Sequence, residues 1–134
     1  MALDKAAYDR YLAAFNARDY DAVLDFYADR FELSFLGYVF RTREDVRNFY
    51  AFLHAHVAEH IILTAFVSDE RMVALEADVR LEGITDLTPE MTAAAGFPKL
   101  APLARGQVIT IPQLIHYHLE DGKIVRVLCA VFET

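Results

Sequence analysis

The stretch Met72-Val73-Ala74-Leu75-Glu76-Ala77-Asp78-Val79-Arg80-Leu81-Glu82 alternates without a break, with Val73, Leu75, Ala77, Val79 and Leu81 on one side and Glu76, Asp78, Arg80 and Glu82 on the other. Successive side chains of a strand point to opposite faces, so this period of two predicts a strand with one buried face and one wet or salt-bridged face. His60 to Val67 precedes it across the polar turn Ser68-Asp69-Glu70-Arg71, and the two runs read as a hairpin. Two more strands, Gln107 to Leu119 and Lys123 to Phe132, flank the turn signal Asp121-Gly122. Toward the N-terminus, Arg30 to Leu36 also alternates, with Phe31, Leu33 and Phe35 opposite Glu32 and Ser34, and Gly37 ends it.

The period changes outside these runs. Tyr8, Tyr11, Leu12 and Phe15 share one stripe of a helix over Asp4 to Asn16. Asp19 offers an N-cap to a short second helix with Ala22, Val23, Phe26 and Tyr27 on one face. Thr42 with Asp45 three residues on resembles a capping box, and Val46, Phe49, Tyr50 and Leu53 supply the stripe of a third helix. Between the two hairpins lies Ile84 to Gly106, punctuated by Pro89, Gly96, Pro98 and Pro102 and too long for an ordinary loop. Within it, Thr88-Pro89-Glu90 predicts a short helix through Ala95, with Gly96 at its exit.

At 134 residues the chain is expected to form one domain over 1–134, with an inserted excursion at 84–106. The 55% apolar share exceeds what an ordinary core needs and points to burial in a pocket or at a contact between copies, a homodimer being the first expectation. A net charge of -7 disfavours nucleic acid and anionic lipid surfaces as partners. Asp4, Lys5, Asp9 and Arg10 break any secretory apolar segment, and no run approaches membrane-spanning length. With Cys129 the single cysteine, set in an apolar run, the reading is a reduced, buried thiol in a cytoplasmic protein.

The order of helices and strands, together with the segments Tyr11-Leu12-Ala13-Ala14-Phe15-Asn16-Ala17-Arg18-Asp19, Phe26-Tyr27-Ala28-Asp29, Val46-Arg47-Asn48-Phe49-Tyr50 and Asp121-Gly122-Lys123-Ile124-Val125, resembles the NTF2-like superfamily, in particular its SnoaL-like and ketosteroid-isomerase-like members. The resemblance implies an α+β, cystatin-like cone in which three N-terminal helices pack on a strongly curved, mainly antiparallel sheet around an apolar pocket. It places Tyr11 at the steroid isomerases' oxyanion tyrosine and Tyr50 at a second pocket tyrosine. The same family uses one aspartate to move the proton and a protonated one to stabilise the oxyanion. Those positions fall on Phe35 and Ile115 here, and neither can transfer a proton. Steroid isomerase chemistry by the family route is thereby disfavoured, as is the cyclase route through the same penultimate-strand acid. The Asp-Arg-Asp group of the limonene epoxide hydrolases cannot be assembled either.

Strand parity turns Gln113, Ile115 and Tyr117 inward and sends His116, His118, Glu76, Asp78 and Arg80 outward. The outer face carrying His116, His118 and Arg126 is expected near the dimer contact. His54 and His56 read as helix-dipole partners or exposed residues at the third helix's end. Counting without gaps from Phe49-Tyr50 makes His60 the candidate base, a neutral imidazole working with Tyr11 or Tyr50. The expected site is therefore Tyr11, Tyr50 and His60 for chemistry, with Phe35, Phe49, Leu75, Val79, Gln113, Ile115 and Tyr117 against the ligand. We expect no metal and no cofactor. The ligand would be a small hydrophobic, cyclic, oxygenated molecule, handled by isomerase, cyclase or dehydratase chemistry; the alternative is a non-catalytic binding or dimeric assembly module.

Overall fold

The structure, a computed structural model, describes residues 3–132. Its helices are α1 (Lys5–Asn16), α2 (Tyr20–Leu24), α3 (Arg43–His56) and α4 (Pro89–Ala94). Its strands are β1 (Tyr27–Phe35), β2 (Tyr38–Phe40), β3 (Val57–Ser68), β4 (Met72–Gly83), β5 (Val108–Glu120) and β6 (Lys123–Val131). They form one curved, mixed sheet in the order β2-β1-β6-β5-β4-β3. Only the β1–β6 pairing is parallel among the described strands; the remaining neighbours run antiparallel.

Each helix begins where a short polar side chain accepts from the first turn. Asp4 accepts from the Ala7 N–H at 2.8 Å, Asp19 from Ala22 at 3.2 Å, Thr42 from Asp45 at 3.0 Å and Thr88 from Met91 at 3.2 Å. The expected trio of N-terminal helices is met only loosely. α1 and α2 precede the sheet, α3 follows two strands, and α4 belongs to the excursion. β2 was not anticipated. It is paired back onto β1 by a two-residue turn at Leu36 and Gly37, whose φ values of 51° and 80° give the double left-handed geometry that matches strand twist. The Asp121-Gly122 turn uses the same device, with φ of 50° and 77°.

The largest departure is at the junction of α3 and β3. The helix runs to His56 and the strand starts at Val57 with no linker, three residues before the expected start at His60. A bulge between Leu63 and Ala65 then switches which side chains face inward, a device that bends a strand and tightens its twist.

Residues 84–107 fold back over the sheet. The Gly83 N–H donates to the Gln107 carbonyl at 2.9 Å, Gly106 donates back to Gly83 at 2.8 Å, and Leu87 and Leu103 form a bridge. Phe97 inserts its ring edge against Phe49, centroids 4.9 Å apart. Leu87, Leu103 and Thr92 are buried, so the segment is packed structure. Among the described residues no helix is long and apolar enough to cross a membrane.

Candidate functional site

Inside the curve of the sheet, beneath α1 and α3, lies a cavity of about 450 Å³. Sequence builds it by three overlapping periodicities. From α1 and α3, the stripes supply Tyr11, Phe15, Phe49, Tyr50 and Leu53. β5 turns every second residue inward, from Ile109 through Ile111, Gln113 and Ile115 to Tyr117, and β6 answers with Val127, Cys129 and Val131. The excursion closes one side with Leu87, Leu100 and Leu103, leaving the Lys99 ammonium at the wall, 5.4 Å from the Tyr38 ring centre.

Tyr11, Tyr50, Phe35, Phe49, Val79, Gln113, Ile115 and Tyr117 all line this one space, as the sequence reading places them. Phe35 and Ile115 thus fill with hydrocarbon the seats where the resemblance sets acids. Two expected residues do not belong. His60 is exposed on the opposite face of β3, beside Arg80 of β4. The error is one of register: starting the strand late and counting across the helix end shifted parity by one, which inverts every side chain. Leu75 is buried but outside the cavity wall. α1 packs onto that end of the sheet, with Tyr8 5.5 Å from Phe66, the β3 partner of Leu75, so only the later β4 residues reach the open space.

The phenols are arranged in pairs. The Tyr8 and Tyr117 hydroxyls lie 2.9 Å apart, as do those of Tyr11 and Tyr27. Within each pair one hydroxyl donates to the other, so one O–H per pair is left for a third group. Burial pushes the Tyr11 phenol up to about 12, against the opposing pull of its hydrogen bond with Tyr27. Burial also holds Tyr8, Tyr27, Tyr50 and Tyr117 far above the usual phenol range, so all five are neutral donors at physiological pH. Cys129 is raised to about 12, by burial first and by the charge of Glu59 second, so it stays a thiol at physiological pH; it is half-buried in the cavity wall where a fully buried core residue was expected. Among the described residues, neither the Tyr50 hydroxyl nor the Gln113 amide has a hydrogen-bond partner. Every sealed polar side-chain atom is bonded, so these two groups open onto the cavity.

Three residues at the edge of the cavity, Glu59, His54 and Tyr20, were not part of the expected site. Glu59, next to His60, lines the cavity. His54 is buried, and its Nε2 lies 2.8 Å from Glu59 Oε1 while its Nδ1 lies 2.6 Å from the Tyr20 hydroxyl. The imidazole clusters with Tyr20 and Tyr50, its plane within 17° and 24° of theirs, and the two tyrosine rings also touch each other at 6.2 Å. Arg18 donates to the His54 carbonyl at 2.9 Å and fixes the helix end that carries the ring. The signal that could have found them is the spacing His54 to Glu59: a helix running straight into a strand turns both toward the same interior. On the outer face, His116 and Arg126 are exposed and His118 half-buried, as parity requires.

A family profile for the SnoaL-like domain matches residues 8–127. The chain belongs to the SnoaL-like family. Its relatives among solved structures include a candidate polyketide cyclase from Silicibacter sp. TM1040, 25% identical over 93% of this chain and 85% of that one, with a TM-score of 0.74. A candidate polyketide cyclase from Xanthomonas campestris pv. campestris is also 25% identical, over 91% and 84%, at a TM-score of 0.69. A ketosteroid isomerase-type protein from Kribbella flavida, 14% identical over 97% and 78% at a TM-score of 0.64, shares the NTF2-like fold. No curated protein matches the chain.

Proposed function

We propose that this SnoaL-like protein binds a small, hydrophobic, oxygenated ring compound in its central cavity and carries out a proton-transfer reaction on it, of cyclase, isomerase or dehydratase type. One observation carries the reading: an apolar cavity of about 450 Å³ holds a hydroxyl, Tyr50, and an amide, Gln113, that have no partner among the described residues. That volume lies within the range of small-molecule sites, and a few convergent polar groups on apolar walls are how such sites orient a ligand. The family and its cyclase-type relatives support the reaction class.

The test compares 2-naphthol with naphthalene by fluorescence titration. 2-Naphthol is expected to bind about fivefold tighter, and Tyr50→Phe combined with Gln113→Leu to remove that difference, since one unmade hydrogen bond is worth about 1 kcal/mol. Equal affinity for the two compounds would refute the proposed orientation.

Phe35 and Ile115 favour a second reading, a binding protein without turnover, because they stand where the family's proton-carrying acids are expected. Binding without any reaction on enolisable or dehydratable ring compounds would establish it. In either case we propose that a second copy of the chain covers the outer face of the sheet. Ile62, Val67 and Leu114 are 45%, 68% and 40% exposed there, near His116 and Arg126, in a protein we place in the cytoplasm. Sedimentation showing monomer alone at micromolar concentration would exclude the dimer.

A further inference from the structure

We infer that Glu59 is the proton-transfer group of the cavity, with His54 and Tyr20 as the residues that position it; this rests on the cavity being the ligand site. The sequence reading assigned proton transfer to His60, which faces solvent, and the resemblance assigned it to positions now held by Phe35 and Ile115. Glu59 is the single carboxylate among the described residues that line the cavity. Its side chain is 12% exposed. One oxygen is anchored by His54 at 2.8 Å, and no partner among the described residues takes the other.

The anchoring group is itself locked. The His54 side chain is 3% exposed, packed in one cluster with the rings of Tyr20 and Tyr50, whose centroids lie 5.8 and 5.4 Å away, and met edge-on by Phe15 at 5.8 Å. The surrounding acceptors satisfy two proton counts. With a neutral ring, the Tyr20 hydroxyl donates to Nδ1 at 2.6 Å and Nε2–H donates to Glu59. With a cationic ring, Nδ1–H donates to the Tyr20 oxygen, and the Tyr20 hydroxyl turns to the Tyr50 carbonyl, 3.3 Å away. Neither hydrogen-bond pattern leaves a buried polar atom without a partner. Such an arrangement is more than a helix latch needs, because a latch needs only one of the two states. Tyr50 and Cys129 line the same cavity as Glu59, and both feel its charge.

The chemistry that fits is enolisation of a cyclic ketone. Glu59 takes a proton from the carbon beside the carbonyl. The C–H electron pair becomes the C=C bond while the carbonyl π pair moves to oxygen, where the Tyr50 O–H or the Gln113 amide donates to it. The glutamic acid then returns its proton to carbon, so the step balances with no further reagent.

The probe is 2-tetralone in D₂O with the full chain, with α-proton loss followed by NMR and affinity measured separately by titration. Wild type is expected to speed exchange above the buffer rate. Glu59→Gln should lower the catalysed rate about 100-fold or more while its Kd stays within about threefold. Sodium formate should restore part of the rate to Glu59→Ala, a rescue that a purely structural carboxylate would not give. His54→Gln and Tyr20→Phe should each lower the rate about tenfold at unchanged Kd, because a displaced base loses orientation before it loses substrate. Binding without exchange in wild type, or full exchange in Glu59→Gln, would overturn the inference and leave the ligand site standing. Failure of wild type to bind the ketone would overturn both.

Discussion

Tyr8 and Tyr117 provide a measurement of how much the paired hydroxyls hold the site together. Their oxygens are 2.9 Å apart and the residues are 0% and 3% exposed, so each hydroxyl is the other's partner away from bulk water. Tyr8→Phe removes one oxygen and leaves the ring, including its edge-to-face contact with Tyr117 at 5.4 Å. What changes is that the remaining hydroxyl loses this partner in the interior. An orphaned buried hydroxyl costs about 1–3 kcal/mol, whereas deleting both members of a pair is close to neutral. Each single variant should therefore lose about 2 kcal/mol, and the double variant no more than about 1 kcal/mol. At this chain length 1 kcal/mol moves Tm by roughly 3–5 °C, so each single variant should melt about 6–10 °C lower and the double variant should recover most of that. Urea unfolding followed by far-UV circular dichroism, with all four proteins at one m-value, yields the coupling directly. Losses that simply add in the double variant would refute the argument, since they would mean that the two hydroxyls do not satisfy each other.

Two other expectations follow from the same interior. Five phenols and one thiol have folded pKa values above those of the unfolded chain, so the native state keeps protons that the unfolded state releases, and stability falls as pH rises. That contribution is intact below about pH 9 and is lost as the pH climbs through about 12, the folded value of both Tyr11 and Cys129. Tyr11 alone contributes on the order of 2–3 kcal/mol. Absorbance at 295 nm should rise in one cooperative step together with loss of circular dichroism; smooth ionisation near pH 10 with the fold unchanged would contradict it. The second concerns the excursion: a Cβ on Gly83 would sit 2.1 Å from the Ala104 carbonyl oxygen, a backbone atom that can yield only by moving the segment. Gly83→Ala should cost about 1–3 kcal/mol and open residues 84–106 to limited proteolysis; an unchanged melting point and cleavage pattern would show that the segment docks elsewhere.

Elements that one period controls were legible from sequence. β4 alternates because one face is buried along its whole length, and α1 and α3 carry apolar stripes beneath recognisable caps. β2 was not legible. Three residues, Tyr38–Phe40, give no period, and the turn before them places Leu36 in a left-handed conformation that its side chain does not advertise. The α3–β3 boundary was hidden for a related reason. His54, Ala55 and His56 carry no stop signal, and the helix ends because Val57 adopts extended geometry, φ −134° and ψ 130°, to enter the sheet. Tertiary pairing decided that boundary, and local propensity did not.

That boundary governs the reading of the site. The cavity walls were legible because they are hydrophobic, and errors of one residue in a helix stripe still leave a neighbour on the same face. A strand gives no such tolerance. Moving the start of β3 by one position exchanges Glu59 for His60, and with it a wall carboxylate for a solvent-facing imidazole. The histidine that meets the wall carboxylate lies six residues before His60, in the last helical turn, where position alone suggested an interaction with the helix dipole or an exposed residue. Residue type led the search to the right chemistry, a histidine near the pocket tyrosines, and register sent it to the wrong histidine. The acids missing from β1 and β5 need not mean that proton transfer is lost, because an interior lined by five strands and two helices offers other places to mount a carboxylate. Glu59 occupies one where α3 delivers, already rigid, the partner that a buried carboxylate needs.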